Sequence, residues 1–339
     1  MKAIEHRKAE HLRINIEENV AGKGISAGFE QWRFEHVALP EISLATVDLT
    51  AELFGRQLGA PILLSCMTGG VEEAGRLNRE LAGVAQVFGL PMGLGSGRAL
   101  LEDPALLPTF LVRAEAPDVP LLANLGAIQL NRGVSAEACR RLVDQLQADA
   151  LVLHLNPLQE ALQAAGDTDF SGLLGRIATL CSELECPVVV KEVGWGIAAD
   201  LVRRLWDAGV AAIDVAGAGG TSWSEVERHR LDNAVRARVA GAFAGWGIPT
   251  ATAILEGRAA APEATLIASG GIADGIDIAK SIALGADLAG LAGPFLRAAA
   301  AGSAAELAAE LCETLRLAMF AIGASDLSQL RNSPRLKPA

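Results

Sequence analysis

Eight short apolar runs constrain this chain more than any other feature: residues 61–65, 91–94, 120–124, 150–154, 187–191, 211–215, 265–269 and 287–291. They are followed by glycine or small polar residues. Between them lie stretches with apolar residues at helical spacing, clearest over 73–88, 136–147, 173–184 and 276–284. Strands alternating with helices pair in parallel through right-handed crossovers, and eight such units predict an α/β fold, a closed (β/α)8 TIM barrel. An open doubly wound sheet is the alternative, but the GxGxxG fingerprint of its first turn is missing. At 339 residues, 51% hydrophobic and 20% charged, the chain is long and apolar enough to be one barrel domain. We divide it into an N-terminal extension with a hairpin (1–60), the barrel (61–323) and a tail (324–339).

In the extension, 42–49 and 53–58 read as a hairpin that plugs the barrel floor. The first forty residues have no strand pattern and are expected to drape over the barrel. The tail from 325 has no readable pattern either, and ordering around a ligand is one expectation for it. One connection, 216–264, is far longer than the rest and carries a charged helix expected from Trp223 to about Val239. Long connections after barrel strands usually form lids or extra helices over the site.

A net charge of −11 argues against a nucleic-acid surface, which needs clustered cations. One basic cluster stands out, His6-Arg7-Lys8-Ala9-Glu10-His11-Leu12-Arg13, readable as a solvated helix or as one wall of an anion pocket. The five cysteines are odd in number and form no CxxC pair; without a signal peptide they read as reduced thiols of a cytoplasmic protein. Cys66 lies near a strand end, either as a packed thiol or as a nucleophile. The apolar stretch 286–300 is too short to span a bilayer and is broken by Gly293 and Pro294, so no membrane partner is expected.

Barrel active sites form at the carboxyl ends of the strands. Those ends carry Ser65-Cys66-Met67-Thr68-Gly69-Gly70, Gly95-Ser96-Gly97-Arg98, Asn124, His154-Leu155-Asn156-Pro157-Leu158-Gln159-Glu160, Lys191-Glu192-Val193-Gly194, Asp214, Gly217–Thr221, Ser269-Gly270-Gly271 and Ala292-Gly293. The glycines after the seventh and eighth strands, each read as opening a helix, suit a phosphate, with Gly219-Gly220-Thr221 as further donors. Lys191 ends a buried strand, where an ammonium needs an anion; a Schiff base and a place beside a reduced flavin both fit. His154, Asn156, Gln159 and Glu160 share one turn, which suits Mg2+ or is a plain polar loop. No His/Cys grouping has zinc spacing.

Together these motifs, with Arg7-Lys8-Ala9-Glu10-His11 and 216–223, resemble the type 2 isopentenyl-diphosphate isomerase family over nearly the whole chain. The resemblance implies an isomerase of isoprenoid biosynthesis that uses reduced FMN without net redox change, with NADPH as reductant. FMN would contact Cys66, Met67, Thr68, Gly69, Ser96, Asn124, Lys191 and Thr221, with its phosphate near Gly270, Gly271, Ala292 and Gly293. The substrate diphosphate would meet Arg7, Lys8, His11, Arg98, His154 and Asn156, with Mg2+ on Glu160 and Gln159 beside the double bond. Gln159, His154 and Lys191 are the catalytic candidates, and reduced flavin itself is expected to supply the proton-transfer group. A homo-oligomer, tetramer or octamer, is also implied. One departure stands out: the family reads Gly-Ser-Gln-Arg after the second strand, and this chain has Gly97 in place of that Gln.

Other readings remain. An FMN-dependent 2-hydroxy-acid oxidase or dehydrogenase needs a histidine base and an arginine near the sixth and seventh strands, where His229 and Arg230 sit within the charged helix. A nucleotide dehydrogenase needs a cysteine in a glycine-rich loop, for which Cys66 is misplaced, and a flavin-free aldolase would use Lys191. A flavin-binding scaffold without catalysis would have no use for Arg7, Lys8, Arg98, Gln159 and Glu160.

Overall fold

A computed structural model describes residues 3–66, 68–331 and 333–339. Eight parallel strands close into a barrel in chain order: Ile62–Leu64, Met92–Gly93, Leu121–Gly126, Ala150–His154, Val188–Lys191, Ala212–Asp214, Leu266–Ser269 and Leu288–Leu291. All eight predicted strands are present. The predicted helices appear as Glu72–Phe88, Ala136–Leu146, Leu173–Glu183 and Gly275–Ala283. Among the described residues no helix is long and apolar enough to cross a membrane.

Side chains alternate along a strand, and here that period of two sorts the barrel into layers. Leu63, Leu122, Val152, Val189, Ala212, Ile267 and Leu288 point inward and form one apolar cluster. Leu151, Leu153, Val188 and Val190 belong instead to the shell between strands and helices. Two residues beyond each inward apolar position stand Ser65, Asn124, His154, Lys191, Asp214, Ser269 and Gly290. The same periodicity that builds the core therefore raises a polar layer at the carboxyl end.

The floor is plugged as expected, but by a different hairpin. Ala51–Leu53 pairs with Arg56–Leu58, and Leu53 and Leu58 join the interior cluster. Residues 42–49 form no strand. They make a 3-10 turn at Leu44–Thr46, and Val47 and Leu49 pack in the outer shell, where Arg316 donates to the Val47 carbonyl.

Four other expectations are corrected. The first forty residues do contain a strand, Trp32–Phe34, paired antiparallel with Leu336–Pro338 of the tail and fastened by Glu35 and Arg335 at 2.8 Å. The tail is thus built into the fold through the helix Leu327–Arg331 and this strand pair. The single charged helix is two, Trp223–Arg230 and Ala234–Ala242, because the Asn233 side chain accepts from the Val235 and Arg236 amides and starts a new helix. After the seventh strand the helix opens at Gly275, not at Gly271. Its N-cap Asp274 accepts from the Ile276 and Asp277 amides, so those donors are already taken.

Candidate active site

The polar layer is the floor of a cavity of about 800 Å³, within the usual range for a ligand site. Its roof is the helix Ala3–Glu17. Leu12 and Ile14 are both buried on it, Leu12 on the cavity side and Ile14 against Val20 and Val226. Arg7, Lys8, His11 and Asn15 recur at helical spacing and line the cavity. The basic cluster is therefore a wall of the pocket rather than a solvated helix.

The structure brings the candidates together. Cys66, Thr68, Gly69, Ser96, Arg98, Asn124, His154, Asn156, Gln159, Glu160, Lys191, Thr221, Gly270, Gly271, Ala292 and Gly293 all line the same cavity. Met67 lies outside the described residues.

At the roof end, Arg7 donates to Gln163 Oε1 at 3.1 Å, and Lys8 donates to the Ser96 carbonyl at 2.9 Å while sitting 4.8 Å over the Phe110 ring. Burial and the neighbouring Arg7 pull the Lys8 ammonium down to about 7. Arg98 is held by Glu102 at 3.1 Å and Asp167 at 3.3 Å. Below them, Asn156 Nδ2 donates to Gln159 Oε1 (3.1 Å) and Glu160 Oε1 (3.0 Å), and the Asp167 amide donates to Glu160 Oε2 (2.8 Å). The buried Asn156 Oδ1 has no partner, an acceptor left for a ligand's donor or a cation.

His154 Nδ1 lies 2.7 Å from Asn124 Oδ1. Burial, with Lys191 and Lys8 nearby, pushes the imidazole down to about 3. It is neutral near pH 7 with its proton on Nδ1, so Nε2 accepts and meets a phosphate oxygen only after gaining a proton. Lys191 donates to the Glu192 carbonyl. The Glu192 carboxylate accepts from the amides of Val193, Gly194 and Trp195. Burial raises Asp214, which is hydrogen-bonded by Ser269 Oγ at 2.6 Å. Burial likewise pushes the Cys66 thiol up, away from the thiolate that a nucleophile needs.

The glycine turns fit a phosphate. Gly270 and Gly271 have φ of 101° and 73°, and a Cβ there would sit 2.0 Å and 2.6 Å from backbone of 217 and 219. Such close-packed turns exist only without side chains. The helix Gly293–Ala301 has Ala292 at its N-cap and no side-chain cap, so the Gly293 and Phe295 amides remain uncapped and open to an anion, Pro294 between them having no N–H. Buried Ser65 Oγ also lacks a partner. These residues would fit a flavin phosphate: a cradle, a cation and one unpaired buried hydroxyl.

Sequence reasoning missed Glu227. This buried carboxylate lies 3.0 Å from His11 Nε2 and accepts from Gln159 Nε2 (3.1 Å) and Arg230 Nη1 (2.7 Å). Burial alone would raise it, but His11, Arg230 and Gln159 hold it below the usual carboxylate range. His11 is pulled down by burial, so a neutral imidazole donates its Nε2–H to Glu227, with its ring edge-on to Trp223 at 5.1 Å. His11 was expected on the diphosphate; its Nε2 is instead engaged by Glu227.

The Gly97 departure has a packing reason. A Cβ there would meet Leu142 Cδ1 at 2.7 Å and Cδ2 at 2.9 Å, while the backbone (φ −76°) is ordinary. Leu142 is fully buried and occupies the space a longer residue would need. Gly97→Gln is expected to destabilise the fold by about 1–3 kcal/mol through overpacking. Adding Leu142→Ala should recover part of that loss, read as non-additive Tm values of the single and double variants.

Comparison with known proteins places the chain. Residues 128–336 match the family model for FMN-dependent dehydrogenase. The isopentenyl-diphosphate delta-isomerase of Nostoc sp. is 51% identical, over 98% of this chain and 95% of the relative. That of Stutzerimonas stutzeri is 50% identical, over 99% and 98%. Solved structures similar in fold include a mandelate oxidase variant (TM-score 0.66, 19% identical, covering 99% of both chains). A lactate oxidase of Pediococcus acidilactici is another (TM-score 0.68, 17% identical, covering 97% and 86%).

Proposed function

The chain belongs to the isopentenyl-diphosphate delta-isomerase family, and from that premise we propose how its cavity binds substrate and moves a double bond. It is an FMN flavoprotein that converts isopentenyl diphosphate to dimethylallyl diphosphate. The observation that carries the reading is one cavity with two unlike ends: Arg7, Lys8, Arg98 and buried Glu160 at the roof, Lys191 and the glycine turns at the floor. The cations suit a diphosphate, and the floor suits a flavin.

In this reading Arg7, Lys8 and Arg98 neutralise the diphosphate, and Arg98 exchanges its Asp167 contact for phosphate oxygen. Glu160 carries Mg2+. Among the described residues no three His, Cys, Asp or Glu side chains gather as a metal site. Mg2+ would therefore take its other ligands from the diphosphate and water. Gln159, held by Glu227 and Asn156, positions the isoprenyl end.

Shifting the double bond needs a proton added at one carbon and removed from the next. His154 is neutral with Nδ1 tied to Asn124, so it has no spare proton to give in the free enzyme. Reduced FMN, when bound, supplies the proton-transfer group, and we take NADPH as its reductant. Lys191 supplies the fixed positive charge beside it. His229 is exposed and does not line the cavity, which weighs against a hydroxy-acid oxidase with that histidine as base. Exposed Val235, Val239 and Trp246 offer an apolar face for the homo-oligomer.

The test is anaerobic turnover of isopentenyl diphosphate with FMN, dithionite and Mg2+. Conversion should require both reduced flavin and metal and stop in EDTA, and Glu160→Gln should raise the Mg2+ concentration needed. Undiminished conversion in EDTA would remove Glu160 from the metal role. The pH profile gives a second expectation. Lys8 is cationic below about 7 and neutral above it. Since the cation binds diphosphate, kcat/KM should fall as pH rises through about 7, whereas kcat, reporting the complex, should change less. Lys8→Arg should move the fall to higher pH; a wild-type kcat/KM flat to pH ~9 would show that Lys8 stays cationic over that range and is not pulled down by its surroundings.

A further inference from the structure

Five cationic side chains line the cavity: Arg7, Lys8, Arg98, Lys191 and Arg297. The first four have partners in the protein. Arg297 has no hydrogen bond or ion pair among the described residues, and nothing in the sequence marks it beyond a place one turn into a helix. Its guanidinium folds back over the start of that helix. A Cβ built on Gly293 would lie 3.1 Å from Arg297 Nη1 and 3.6 Å from Thr221 Oγ1, so a guanidinium and a hydroxyl converge above a glycine.

Two observations say what belongs there. The helix Gly293–Ala301 has no side-chain cap, leaving amide donors free, while the neighbouring helix after the seventh strand is closed by Asp274. Asp274 and Asp277 also take up the amides of Ala273, Ile276 and Asp277 just after the seventh-strand glycine turn, so few backbone donors are left there for a dianion. A dianion at this end needs a side-chain cation, and Arg297 is the one with no partner.

We propose that Arg297 binds the terminal phosphate of the flavin cofactor and makes the site select the phosphorylated flavin. This rests on the reading that FMN lies with its phosphate at Gly293, and it adds a residue that backbone contacts do not supply. Guanidinium meets phosphate oxygens as a planar fork of donors, and Thr221 Oγ1 adds one more.

The experiment is titration of the apoprotein with FMN and, separately, with riboflavin, followed by flavin fluorescence, for wild type, Arg297→Met and Arg297→Lys. Arg297 is exposed, so these variants should keep the wild-type thermal midpoint. The expected result is an FMN Kd raised about 10- to 100-fold in Arg297→Met, partly restored in Arg297→Lys, with the riboflavin Kd unchanged. Inorganic phosphate should compete with FMN in the wild type and less in Arg297→Met. An unchanged FMN Kd in Arg297→Met, or equal loss for FMN and riboflavin, overturns the role of Arg297 and leaves the flavin site standing. Failure of the wild-type protein to prefer FMN over riboflavin overturns the phosphate placement, and the inference with it.

Discussion

Lys191→Met is expected to lower kcat about 10²–10³-fold while FMN remains bound, the loss typical of removing one preorganised charge from a water-poor site. The lysine ends the fifth barrel strand, one step above inward-facing Val189, and is nearly buried. Its ammonium donates to the Glu192 carbonyl; burial raises the neighbouring acids Glu192 and Asp214, and the lysine charge offsets only part of that rise. Methionine keeps the length of the stem and removes the charge. The roof cations stay in place, so KM for isopentenyl diphosphate should move far less than kcat. The check is a steady-state kcat and KM pair together with the flavin absorbance of the purified variant. A drop in kcat below tenfold, with flavin bound, would show that the positive charge is not needed in turnover.

How much of this was legible beforehand follows from which contacts are local. Strands buried on both faces read as unbroken apolar runs, so all eight barrel strands were visible. The polar residue ending each run then falls in the inward register by alternation alone, which is why Asn124, His154 and Lys191 were found without a structure. The hairpin was misplaced for the same reason. Ile42, Leu44, Val47 and Leu49 look like a half-buried strand, yet Ile42, Val47 and Leu49 pack into the outer shell and not into the barrel interior. The strand Leu336–Pro338 is three residues long, includes a lysine and a proline, and exists because Trp32–Phe34, some three hundred residues earlier, offers an edge. Arg297 looks like any helix residue until Gly293 and Thr221 are placed beside it. The roof cluster was ambiguous because charge alone does not say which side of a helix faces solvent. Buried Leu12, on the same side as Lys8, His11 and Asn15, decides it.

Glu227 was invisible in sequence for a related reason, and its replacement should have the second large effect. It sits in a run of charged residues, Glu225 to Arg230, which reads as a solvated helix face. Its side chain is nonetheless 1% exposed, and its partners His11 and Gln159 lie 216 and 68 residues away. Removing a buried carboxylate that three donors share costs about 1–3 kcal/mol per group left unpaired, so Glu227→Ala should lower Tm by orphaning His11 and Gln159, while Arg230 keeps Glu10 at 3.1 Å. Glu227→Gln separates stability from catalysis. It keeps the shape but turns one acceptor oxygen into a donor: placed at Oε1 it opposes both His11 Nε2–H and Gln159 Nε2–H, and placed at Oε2 it opposes Arg230. If Gln159 turns over to satisfy it, Gln159 Oε1 no longer accepts from Asn156 Nδ2, and the turn that carries Glu160 loses its internal tie. Kcat should fall about 10- to 100-fold in Glu227→Gln, since misplacement of a positioning group by about 1 Å costs that much. KM for Mg2+ should rise as well, because Glu160 shares the turn. A purely structural carboxylate would give a lower Tm with kcat and the Mg2+ dependence unchanged. Loss of kcat at a preserved Tm would instead mark Glu227 as the residue that orients Gln159.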